Sequence, residues 1–175
     1  MIRLMYQTGI RSKELRNIRL RDLDREERSI TVADAKSEKF RTVFYNDLEP
    51  WLTEWLDLGR RDSLRPADGS PYLFLTNRSE QLSINRPNDI IKDAAANAGI
   101  QETMYTDGQG NGRKRITCHA LRHGFARHCI KQGMDISFLK DLMGHENLET
   151  TKQYLAFIDD DRREAVRKYG PSPSQ

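Results

Sequence analysis

Cysteine is scarce: Cys118 and Cys129 are the only two, and they form neither a CxxC pair nor a regular framework. A disulfide-stapled scaffold is thereby excluded, and both residues read as reduced thiols in a helix. Long apolar runs are missing too. No stretch approaches membrane-spanning length and no charged-then-apolar leader opens the chain, so a cytosolic protein without a membrane partner is expected. Charge of one sign is also lacking. The 29 Lys and Arg stand against 26 Asp and Glu, a net +3, with both signs mixed in every segment, unlike the composition of disordered chains. A pI near 8.9 permits a nucleic-acid partner without demonstrating one, since clustering of positive charge decides that. There is no HExxH motif and no cluster of carboxylates beside the arginines, which disfavours zinc hydrolysis and two-metal nuclease chemistry. No internal repeat and no second-domain boundary is visible, so residues 1–175 read as a single domain, large enough for a real core.

What is present alternates between two periods. Ile2 to Tyr6 reads as the last turns of a helix ended by Gly9 in a left-handed cap. Ser12 could cap a short second helix whose Leu15 and Ile18 face inward. From Ser29 to Tyr45 the period drops to two, with Ser37-Glu38-Lys39 as the turn, which predicts a β-hairpin. Asp47 to Leu58 returns to helical spacing and stops at Gly59. Residues 60–86 read as loop, Asn88–Ala98 as a helix closed by Gly99, and Thr106–Gly112 as a flexible connector into Arg113-Lys114-Arg115. Helices are expected over 119–132, 135–143 and 150–157, with a charged helix over Asp159–Lys168. The fold class expected is α+β, mainly α-helical with a small antiparallel sheet.

Chemistry concentrates in five residues: Arg11, His119, Arg122, His145 and Tyr154. A phosphodiester repels nucleophiles, and its charge grows in the transition state. Two guanidiniums answer that problem, because each stays protonated and offers a planar fork of donors to phosphate oxygens. A tyrosine hydroxyl is an adequate nucleophile and leaves an ester that a DNA hydroxyl can reverse. Its ordinary pKa of about 10 requires help from a base or from adjacent positive charge. A departing 5′-oxygen needs a proton, and Lys36, at a hairpin tip, could deliver it.

These residues carry a specific resemblance. YQTGIRSKELRNIRLRDLD, AKSEKFRTV, HALRH and LMGHENLETTKQY, in that order, resemble the motifs of the tyrosine recombinases, the phage-integrase family. The resemblance implies that Arg11 and Arg122 bind the scissile phosphate, that Glu14 supports the site, and that Lys36 is the general acid. It assigns His119 to the HxxR motif, His145 to the last motif, and Tyr154 as the nucleophile. It further implies DNA strand breakage and rejoining through a 3′-phosphotyrosine with no cofactor, a homotetramer on two DNA duplexes or a monomer in isolation, and a cytoplasmic, nucleoid-associated location. The family's separate N-terminal DNA-clamping domain is expected to be absent, since only ten residues precede Arg11.

The chain departs from the family pattern at Lys13, where a small residue is usual, and in a hairpin without Gly-Lys-Gly, which leaves Lys36 and Lys39 both open as the acid. Lys39 and Arg41 are read as DNA-backbone contacts or solvated charges, and Arg113, Lys114 and Arg115 as DNA-facing. His119 and His123, spaced i,i+4 with Cys118, His128 and Cys129 nearby, raise a metal site, but Cys118 would point away from the pair, and no metal is expected. Two other readings remain. Residues 119–143 outline a helix-turn-helix, on which Arg122, Arg127 and Lys131 would touch phosphates and Tyr154 would be structural. A plain binder has no reason to keep Arg11, Lys36, His119, Arg122, His145 and Tyr154 together. A tyrosine-type topoisomerase shares the chemistry, but the HALRH and final motifs favour the recombinase.

Overall fold

Gly9 ends the first helix, and the geometry around Arg11 follows from that turn. The computed structural model describes residues 1–33, 40–106, 108–110 and 112–145. Helix α1 (Ile2–Thr8) buries Leu4, Met5 and Thr8 and stops at Gly9, whose φ of 62° is left-handed and whose N–H donates to the Met5 carbonyl. The chain then extends through Arg11 (φ −76°, ψ 152°) into helix α2 (Ser12–Asn17). The cap is therefore Arg11 rather than Ser12. Its own N–H is taken by the Glu14 carboxylate at 2.7 Å, so an acid at the third helical position satisfies the cap residue's donor, the reciprocal half of a capping box, and suits the positive end of the helix. Leu15 and Ile18 are buried, as their spacing requires.

Three antiparallel strands follow: β1 (Leu23–Asp24), β2 (Ser29–Ala33) and β3 (Phe40–Phe44). The β2–β3 hairpin is the expected one, with Ile30 opposite Val43 and Val32 opposite Arg41. Ile30, Val32 and Val43 face the core while Thr31, Phe40 and Phe44 face out, the period-two signature of a sheet with one buried face. Two-residue β1 is too short to show alternation. It pairs through a tight turn in which Arg28 is left-handed (φ 49°) and Asp24 accepts the Glu27 N–H at 2.9 Å. The hairpin tip, 34–39, with Lys36 and Lys39, lies outside the described residues.

The helix expected over 47–58 appears in two parts, α3 (Glu49–Leu52) with Pro50 in its first turn, then a wider π turn over Thr53–Asp57. Residues 60–85 are irregular apart from a 3-10 helix over Arg65–Gly69 and are held from within: the buried Arg61 guanidinium donates to the Ser70 and Tyr72 carbonyls at 2.6 and 3.0 Å. Helix α4 (Arg86–Asn97) runs to a left-handed Gly99.

One expectation is corrected. Thr106–Gly112, read as a flexible connector, links two strands that were not expected, β4 (Thr103–Thr106) and β5 (Gly112–Lys114), which pair as a β-hairpin. Its glycines do form a turn, with Gly110 at φ 82°, but the flanking Thr103, Met104, Tyr105 and Thr106 favour a strand. Its base is fixed because the Gln101 side chain accepts from the Ile116 N–H and donates to the Ile116 carbonyl, both at 2.9 Å.

Helix α5 (Cys118–Lys131) begins where the Cys118 N–H meets the Asn88 side-chain oxygen at 3.1 Å. Helix α6 (Ile136–Met143) is capped by Asp135 and ends at a left-handed Gly144. The chain divides into two compact units, Met1–Phe125 and the residues from Ala126 onward. The first is organised around Leu4, Met5, Ile10, Leu15, Ile30, Val43 and Leu73. In the second, Ala126, Ile130, Leu139 and Met143 are buried. The helices expected over 150–157 and 159–168 lie outside the described residues, among which no helix is long and apolar enough to cross a membrane.

Candidate phosphate-binding site

The Gly9–Ile10–Arg11 turn is where two of the singled-out arginines converge. Gly9 presents its carbonyl to the Nη1 of Arg122, a buried cation on α5. Gly9 must be glycine on two counts. Its φ is positive, and a Cβ there would stand 2.3 Å from Cδ1 of Phe125. The turn thus holds Arg122 through the Gly9 carbonyl and carries Arg11 two residues on.

Arg11 is braced by Glu14, whose side chain has no exposed surface. Glu14 Oε1 accepts from Arg11 Nη1 at 3.0 Å and from Arg41 Nη1 at 2.6 Å. Its Oε2 accepts from the Arg11 backbone N–H at 2.7 Å and from Arg41 Nη2 at 2.9 Å. Burial by itself would push this carboxyl up. The hydrogen bonds and charge of Arg41, with the N–H and guanidinium of Arg11, outweigh it and hold Glu14 below the usual carboxylate range. Glu14 is therefore ionised at neutral pH, and Arg11, with 37% of its side chain exposed, is the more accessible of its two arginines.

On α5, Nε2 of His119 and Nε2 of His123 lie 2.6 Å apart with the rings nearly perpendicular. One proton can lie between them. Burial first, then the neighbouring His119 and Arg122, lowers the His123 pKa, so the pair favours a neutral ring at His123. Among the described residues no group of three or more His, Cys, Asp or Glu could hold a metal ion. The two thiols are free and buried, and burial pushes Cys118 up to about 11 and Cys129 up as well, so neither is a nucleophile at neutral pH.

His145 follows the left-handed Gly144, is half-buried, and donates its N–H to the Lys140 carbonyl at 3.0 Å; it belongs to the second unit. Tyr154, Lys36 and Lys39 lie outside the described residues. Arg113, Lys114 and Arg115 are exposed on or beside the β4–β5 hairpin, with Met104 and Tyr105. Lys114 Nζ reaches the Thr103 hydroxyl at 2.9 Å and Arg115 pairs with Glu102 at 2.8 Å. A 550 Å³ groove lined by Ile2, Trp51, Trp55 and Phe74 includes none of Arg11, Glu14, Arg41 and Arg122. The turn itself is buried at Gly9 and Ile10 with Arg11 half-buried, and Glu14 lines a separate small cleft of about 40 Å³ with Ile18, Thr31 and Val32.

The Glu14–Arg41 pair was missed from sequence, although a signal was there. Arg41 shares its strand face with Val43 and Tyr45, both buried, so a guanidinium at that register needs an acidic partner inside.

The phage integrase family model matches residues 1–160. Tyrosine recombinase XerA of Pyrococcus furiosus is 34% identical over 168 residues, which cover 94% of this chain and 52% of the relative. A crystal structure of XerA recombinase superposes with a TM-score of 0.75 at 30% identity, covering 97% of this chain and 56% of that one. The catalytic domain of bacteriophage HP1 integrase superposes with a TM-score of 0.56 at 25% identity, covering 99% of this chain and 83% of that one. The chain spans about half the length of the curated relatives it matches.

Proposed function

The chain belongs to the phage integrase family, and from that premise we propose that it cleaves and rejoins DNA through a 3′-phosphotyrosine intermediate. The observation that carries the reading is the convergence of Arg11 and Arg122 on one turn, with Arg11 braced by the buried Glu14. Two fixed guanidiniums beside a shared backbone turn suit a phosphate whose charge grows during attack. Tyr154 Oη attacks the phosphorus and the bond to the 5′-oxygen breaks. That oxygen leaves with a proton from Lys36, or from its neighbour Lys39. His119 and His145 donate hydrogen bonds to the phosphate or take the tyrosine proton. The phosphotyrosine keeps the bond energy, so a 5′-hydroxyl from a partner strand can reverse the step without ATP. Strand exchange between two duplexes would make this a site-specific recombinase acting as a homotetramer.

The exposed basic hairpin supplies a second DNA contact, through Arg113 and Lys114 with Arg115 at its base. Contacts of this type go to the DNA backbone and position rather than specify. Double-stranded DNA is thus the proposed partner.

The test is covalent capture on nicked duplexes of varied sequence, with Tyr154→Phe as control, resolved on a denaturing gel with the linked peptide identified by mass spectrometry. An adduct at Tyr154 that vanishes in the variant is the expected result. An adduct at another residue sinks the assignment. Salt-sensitive binding without any adduct would leave a DNA-binding module built on α5 and α6.

A further inference from the structure

Arg41 has a job that its place in a DNA-facing hairpin does not suggest. Its guanidinium commits Nη1 and Nη2 to the two oxygens of Glu14, and only 15% of its side chain is exposed. A carboxylate has about four acceptor sites. Those of Glu14 are taken by two donors from Arg41 and two from Arg11. The two arginines therefore meet on one carboxylate from different elements, Arg41 from β3 and Arg11 from the cap of α2.

We propose that Arg41 is a positioning residue for Arg11, acting through Glu14; the proposal rests on the reading of Arg11 as a phosphate ligand. Arg41 holds the carboxylate plane with a planar fork, and the carboxylate in turn fixes Arg11 at both its backbone N–H and its Nη1. A lysine in place of Arg41 would supply the charge without the fork, so the plane of Glu14 would be free to rotate. Because Glu14 sits between the arginines, disorder at β3 passes to the guanidinium that meets the scissile phosphate. Misplacement by about 1 Å at such a group is enough for a loss on the order of a hundredfold. The arrangement also links the strands carrying the Lys36 tip to the Arg11 turn, since Arg41 stands two residues after Lys39.

The experiment compares the wild-type chain with Arg41→Lys. Arg11 is followed through the NMR signal of its Nε–H, assigned with Arg11→Lys. Affinity for the nicked-duplex pool, its salt dependence and the rate of adduct formation on that pool are measured alongside. The expected result for Arg41→Lys is a folded chain with DNA affinity within about twofold of wild type and an unchanged salt slope. Adduct formation should slow by about tenfold or more, and the Arg11 signal should broaden and exchange faster. An Arg11 signal identical to wild type overturns the proposal. So does lost affinity with a salt slope shallower by about one, which would make Arg41 a phosphate contact itself. Should Arg41→Lys fail to fold, Arg41→Gln, which keeps a similar length and leaves Glu14 in place, must show the same loosened Arg11 signal. Failure of the wild-type chain to form any adduct would count against the proposed function, while the Arg11 signal still decides the role of Arg41.

Discussion

Two single residues bear most of the local geometry, and each gives a distinct prediction. Gly9 combines a left-handed φ with van der Waals contact to Phe125 and a carbonyl that serves Arg122. Gly9→Ala adds a Cβ where an aromatic ring already sits, so it should destabilise by about 2–3 kcal/mol, from backbone strain plus overpacking. Chemical denaturation checks the magnitude. Adduct formation should fall further than stability does, because the carbonyl that holds Arg122 moves with the turn. Glu14 predicts a pH dependence. Its folded-state pKa is lowered from the ordinary 4.5, so its contribution is fully present above that value and is lost as pH falls through the lowered folded value. Glu14→Gln leaves two arginines facing a neutral amide and should cost about 3 kcal/mol near pH 7. Urea unfolding of both chains at pH 7 and pH 3 should show the gap between them narrowing in acid; a constant gap would mean that Glu14 is not the titrating group.

At the scale of elements, the β4–β5 hairpin separates stability from binding. Both strands are exposed along their length and carry no core residue, so side chains there contribute little to folding. Arg113→Ala with Lys114→Ala should leave the melting temperature nearly unchanged. It should also make the slope of log K against log[salt] shallower by about 2, at roughly 0.9 per phosphate, as read by fluorescence anisotropy on a duplex at several salt concentrations. This hairpin also marks the limit of what could be read in advance. Elements that bury a face were legible: the Ile30, Val32 and Val43 alternation named the β2–β3 hairpin, and Gly9, Gly59, Gly99, Gly133 and Gly144 marked where helical segments stop. The β4–β5 hairpin buries nothing, so no hydrophobic period announces it, and its glycines look the same in a hairpin as in a loop. Strand β1 is hidden for another reason, because two residues cannot show a period. At the candidate site, Arg11, Glu14, His119 and Arg122 were visible as motif positions. The Arg41 contact depends on which face of β3 meets α2, a tertiary fact that only the inward register of Val43 and Tyr45 hints at.

For the whole molecule, charge decides how DNA is approached. The net charge is only +3, with acids and bases interspersed, so the long-range field is weak and attraction must come from local clusters. Positive groups proposed to meet phosphate come from the Arg11 turn, the Lys36 tip, Arg122, and Arg113 and Lys114 of the second hairpin, while Arg41 is committed to Glu14. If each of those five neutralises one phosphate, the wild-type slope of log K against log[salt] should lie near −4 to −5. Association at low salt should also be less accelerated than for a strongly basic protein, because steering depends on the field at distance whereas the slope depends on contacts. The two quantities are separable by stopped-flow binding and equilibrium anisotropy across the same salt series. A steep slope with a flat association rate is the expected pair. A slope near −1 would mean that one cation at most meets the backbone, and the arginine turn and the basic hairpin could not both be seated on DNA.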